Sequence, residues 1–168
     1  LTISQSLLSE FDQEMAGTRK TLERLPDGKF DFKPHEKSPT MGWMAGHIAQ
    51  MTQWGTMTCT KDSVDLAAPE NQERPLQPKT AQEAVAAFDK NAAAFRAALA
   101  QTTDERMMQP WTLKMGDKTF FTMPRAAVLR GMVFNHLIHH RAQLTVYLRM
   151  NGVPVPALYG PSADESNF

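Results

Sequence analysis

A chain of 168 residues is long enough to bury one core without cross-links, and 42% hydrophobic with 21% charged residues is the balance of an ordinary globular domain, not of a disordered one. Lysine plus arginine and aspartate plus glutamate number 18 each, so no net field draws the chain to phosphate backbones or anionic lipid, and the dispersed Arg125, Arg130, Arg141 and Arg149 read as solvated helix faces. The single cysteine, Cys59, excludes an internal disulfide and a cysteine-rich zinc module, and no apolar run approaches the roughly 20 residues that span a bilayer.

From Thr2 to Leu25, Leu8, Phe11, Met15, Leu22 and Leu25 recur at helical steps, with Thr18 filling a gap, and Pro26 ends the helix. Asp27 to Lys37 reads as a loop. Ser38-Pro39 opens a second helix, running to about Thr58, whose apolar stripe of Trp43, Met44, Met51 and Trp54 passes through His47. Lys61 to Lys79 carries prolines and no periodicity, as a long surface crossover does. Thr80 and Glu83 form a capping box for a third helix that buries Ala84, Phe88, Ala92, Phe95 and Leu99 and ends near Gln101.

Between Thr102 and Thr122, β-favouring residues flank a Gly116-Asp117 turn, which predicts a small hairpin or an extended loop. The last helix starts near Thr122 to Pro124 and runs to about Met150, where Asn151-Gly152, Pro154 and Pro156 stop it; the tail to Phe168 is irregular. The expectation is one domain over residues 1–168, an all-α four-helix bundle of up-down-down-up type with a long crossover, in a reducing cytoplasm.

Three of the five histidines lie in Asn135-His136-Leu137-Ile138-His139-His140-Arg141. At about 100° per residue, His136 and His140 leave one helix face about 6 Å apart along the axis. They share a stripe with Leu129, Val133, Leu144 and Tyr147, so both are expected to point inward. An inward imidazole must be hydrogen-bonded or serve as a ligand, because unpaired ring nitrogens cost a few kcal/mol. His47, on the inner stripe of the second helix, offers a third nitrogen. Three neutral imidazoles suit zinc or nickel and leave a coordination position open. On spacing alone, packed core histidines remain an equal reading, and His139 competes with His140 as the partner of His136.

His35, in a charged loop, reads as solvated, and Cys59 as a buried helix-end residue and not a nucleophile. The helix lacks the glutamate of a His-Glu-x-x-His protease motif.

In order and type, the segments 38–49, 135–144, Val153-Pro154-Val155-Pro156 and 159–165 resemble the DinB/YfiT-like superfamily of metal-dependent bundles, over essentially the whole chain. That resemblance implies metal ligation by His47, His136 and His140. It also implies an activity among those of thiol-dependent transferases and isomerases or hydrolase-like proteins, acting on a small molecule, and a homodimer whose contact draws on aromatic and methionine positions of the first and last helices. The family name alludes to DNA damage, but the zero net charge argues against nucleic acid as a partner.

The leading expectation is therefore a small-molecule enzyme whose ion activates water or a low-molecular-weight thiol. The alternative is a non-catalytic metal- or ligand-binding homodimeric bundle. Gln50 and Gln143 are placed to orient imidazoles or substrate. His139 lies beside the site, Trp43, Trp54 and Tyr159 are expected to wall a pocket, and Asp164 and Glu165 to fold back over its mouth.

Overall fold

The structure is a computed structural model that describes residues 1–72 and 76–166; the centre of the long connection and the last two residues of the tail lie outside it. Helix α1, Ile3–Glu23, starts at a capping box in which the Thr2 hydroxyl accepts from the Gln5 N–H and the Gln5 side chain accepts from the Thr2 N–H. Helix α2, Met41–Thr60, is capped by Thr40 and starts two residues past the expected Pro39. Helix α3, Ala81–Gln101, is capped by Thr80, but the reciprocal bond is displaced: Glu83 accepts from Lys79 N–H at 2.8 Å.

The expectation of an all-α chain is corrected by a three-stranded sheet. Strand β1, Ser63–Asp65, lies in the connection read as structureless surface and pairs in parallel with β2, Pro110–Met115, setting Val64 opposite Leu113. Three residues are too short for alternation to register. What seats the strand is burial of Val64 with Trp111, Leu113 and Val128 in a small second core. The expected hairpin is present: β3, Lys118–Pro124, pairs antiparallel with β2 around Gly116, whose φ of +57° is the left-handed conformation glycine adopts freely. A short helix α4, Asp104–Met108, capped by the Thr103 hydroxyl, precedes it.

Residues 125–150 form one helical run: α5, Arg125–Val128, a π-helical stretch Leu129–Phe134, and α6, Asn135–Met150. Helices α1, α2, α3 and α6 close a ring of contacts, α1 with α3, α3 with α2, α2 with α6 and α6 with α1. At its centre Phe11 meets the rings of Phe95 and Phe134 edge-on, with centroids 5.1 and 6.4 Å apart. Helices α2 and α3 approach closely because Gly55 has no side chain: a Cβ there would lie 2.4 Å from the Phe95 ring.

Two arginines read as solvated are buried. Arg125, with no exposed side-chain surface, donates to the carbonyls of Thr58 at 3.1 Å and Lys61 at 3.0 Å and pairs with Asp62, so it closes the C-terminal end of α2 and ties it to α5. Arg141, 2% exposed, pairs with buried Glu14 of α1. Their carbonyl, carboxylate and hydroxyl partners come from distant segments, so one strand of sequence shows only a charge among apolar neighbours. Arg130 and Arg149 are largely solvated, as expected.

Candidate metal centre

The π-helical stretch decides how the last helix presents its histidines. A π turn takes up more residues than an α turn, so the helical phase beyond it is displaced. The deepest line of α6 is Leu137, Arg141, Leu144 and Leu148, not the line through His136 and His140. The two histidines are half-buried beside that line, facing α2, where the half-buried His47 meets them. They border the core instead of entering it, which leaves one side of the cluster open to a ligand.

The Nε2 atoms of His47 and His136 lie 3.3 Å apart, and those of His136 and His140 2.8 Å. One ligand atom from each of the three rings falls within 4.8 Å of the others. Nitrogens on a tetrahedral ion at bonds of about 2.0–2.1 Å stand about 3.3 Å apart, which the His47–His136 pair matches, while His136 and His140 are closer and would open by about half an ångström around one cation.

A hydrogen bond behind one ring fixes where its lone pair points. His140 Nδ1 is 2.8 Å from Gln143 Oε1, an atom that only accepts, so the His140 proton sits on Nδ1 and its Nε2 presents a lone pair. That lone pair faces His136 Nε2 at 2.8 Å, a contact that either a His136 Nε2 proton or a shared cation makes favourable.

Trp43 stacks on the third ring, its centroid 4.7 Å from that of His47 with planes 19° apart. Burial, with the neighbouring His140 and His136, pushes His47 down to about 4 from the ordinary 6.5. Burial also lowers His136 and His140. All three are held in the neutral form that a metal needs.

The remaining sequence candidates separate. His139 is exposed; its ring stands 5.0 Å from that of His140 but outside the cluster. Gln50, one turn beyond His47, and Trp54 line a cavity of about 180 Å³ together with Met57, Val64 and Leu66. Tyr159 does not wall that cavity. Its hydroxyl donates to Glu14 at 2.7 Å and accepts from Arg141. Asp164 and Glu165 do not cover the cluster either: Arg149 and Arg24 hold them along the tail, where they accept from the Val155 and Ala157 N–H groups. Electrostatic complementarity with arginines at the ends of α6 and α1 outcompetes a fold over the histidines. His35 is exposed. Cys59 is buried, and burial raises its thiol although Thr102, Arg125 and Arg106 pull the other way.

Sequence reasoning missed Glu14 and Arg141. The available signal was a carboxylate on the α1 stripe with Phe11, Met15 and Thr18 and an arginine on the line of Leu137 and Leu144. Gly17 belongs with them, since a Cβ there would sit 3.2 Å from the Arg141 guanidinium.

Among the described residues, no helix is long and apolar enough to cross a membrane. An uncharacterized protein of Bacillus subtilis (strain 168), YrdA, is 28% identical over 94% of this chain and 89% of its own length. The crystal structure of a DinB-like protein from Bacillus cereus ATCC 10987 has a TM-score of 0.70 at 26% identity, covering 92% of this chain and 97% of that one. A DinB-like protein of Bacillus subtilis, YjoA, has the same fold, with a TM-score of 0.71 at 18% identity over 97% of this chain and 99% of that one. The model of the DinB family matches residues 2–167, and the chain belongs to the DinB family.

Proposed function

We propose that this protein is a metal-dependent enzyme of hydrolase or thiol S-transferase and isomerase type, built as a four-helix bundle with a long crossover, that binds one divalent ion, zinc or nickel, through His47, His136 and His140. The observation that carries the reading is the convergence of the three rings, with the His136 and His140 Nε2 atoms 2.8 Å apart and the His140 proton turned away to Gln143. Three imidazoles would leave a four-coordinate ion one position for a small molecule, where the ion would supply the Lewis acidity that makes water or a thiol a nucleophile near neutral pH.

The chain's own residues do the rest. Gln143 holds the His140 tautomer, and the Trp43 indole fixes the plane of His47 and keeps water from one of its faces. Gln50 offers an amide to a substrate lodged in the cavity that Trp54 walls.

The test is a panel of low-molecular-weight thiols with electrophilic acceptors, and of simple ester and amide substrates, run on zinc- and nickel-loaded protein, metal-free protein and His136→Ala. Turnover in the loaded protein that disappears in the other two supports the reading. Turnover indifferent to metal and to the substitution overturns it.

A further inference from the structure

On the side of the cluster away from Trp54, a groove of about 240 Å³ lies between the loop before α2 and the C-terminal half of α6, lined by Pro34, Pro39, Met44, Gln143, Val146 and Tyr147. Ser38 completes the lining, so no charged side chain contributes to it. Whole small-molecule pockets run to roughly 300–1,000 Å³, so this groove takes one ring-sized group and not an entire ligand of that kind.

Its polar atoms are mostly engaged. Tyr147 donates to the Pro39 carbonyl at 3.0 Å. The Gln143 carbonyl oxygen is held by His140, while its amide N–H groups meet no protein acceptor among the described residues. The groove therefore offers apolar walls and one amide donor, on the side chain that also orients a candidate metal ligand.

We propose that this groove binds the neutral acyl portion of a small molecule, an amide or ester, with its carbonyl oxygen accepting from the Gln143 amide. An uncharged lining disfavours carboxylates, which would give up hydration without a cation to meet them. A carbonyl bonded to the Gln143 N–H polarises the amide and strengthens Oε1 as the acceptor of the His140 proton, so ligand and ion reinforce each other, and by linkage the effect is reciprocal. The inference deepens the metal-enzyme reading by naming the substrate class, but groove occupancy is detectable without any ion.

The experiment titrates benzamide, benzoate and benzylamine into protein labelled at methionine and valine methyls, metal-free and zinc-loaded, with Val146→Trp and Gln143→Met beside the wild type. Benzamide is expected to shift the Met44 and Val146 methyl signals saturably, at least tenfold more tightly than benzoate or benzylamine. Val146→Trp, at a residue 54% exposed that can change without disturbing the core, is expected to abolish binding. Gln143→Met is expected to weaken benzamide at least tenfold. Benzamide shifts in a protein that takes up no zinc would support the groove while refuting the metal reading. No shift at Met44 and Val146, equal binding of benzoate, or shifts confined to Met57 would overturn the proposal. So would the finding that Val146→Trp converts a dimer to a monomer in sedimentation with no benzamide effect, since the face would then be covered by a second copy.

Discussion

The Arg141 guanidinium meets the Glu14 carboxylate at 2.7 Å with side chains 2% and 7% exposed, and so sets the rotation of α6 against α1. Arg141 also donates to the Glu14 main-chain carbonyl at 3.0 Å and to the Thr18 hydroxyl at 3.2 Å, while Tyr159 bridges to the tail. Because Arg141 follows His140 directly, the turn of helix that buries one aims the other toward α2.

Breaking such a pair leaves a buried charge alone, at a cost of about 3–5 kcal/mol. Arg141→Met and Glu14→Leu are each expected to destabilise by that amount in urea unfolding, and the double variant by clearly less than the sum. Tyr159→Phe, which removes one hydroxyl and keeps the ion pair, is expected to cost about 1 kcal/mol. A double-variant loss equal to the sum of the single losses would show that the two groups do not interact.

Gly46, the residue before His47, packs against the connection to α3 so closely that a Cβ would fall 1.8 Å from the Leu76 carbonyl oxygen. Backbone must move to admit it. Gly46→Ala is expected to cost at least about 1–3 kcal/mol and to weaken zinc binding, because the displaced turn carries the ligand. Urea unfolding and a zinc titration on the same sample check both parts.

Acid should unfold the metal-free protein partly through His47. Its pKa is about 4 in the folded protein against an ordinary 6.5, so between those values the unfolded chain binds more protons than the folded one. Stability is therefore expected to rise with pH across that window and to be lost as pH falls through it, with no further contribution from this residue below the folded value. His47→Gln should flatten the slope in a urea series at stepped pH. Bound zinc should leave as the solution is acidified, since a protonated imidazole has no lone pair to offer.

Much of this was legible in the residues because it repeats at short range. The helices were readable from apolar periodicity and from Thr80, Gly152 and the prolines, and the hairpin from Gly116-Asp117. His136 and His140 shared a face by arithmetic that survives any helix start. What was hidden depends on pairing at a distance. Strand β1 exists only because β2 lies beside it, and the π-helical stretch shifts the phase of α6 with only Gly131 inside it, a residue that an ordinary helix also tolerates. Arg125 and Arg141 look solvated until the carbonyls and the carboxylate that receive them are brought from elsewhere in the chain.

The central claim is that three imidazoles hold one cation, and the most direct measurement is elemental analysis of protein loaded with zinc and freed of excess by gel filtration. About one ion per chain is expected in the wild type, and less than about a tenth of that in His140→Ala carrying the same folded far-UV signal. A wild type that retains no zinc, or a variant that retains as much, would contradict the account.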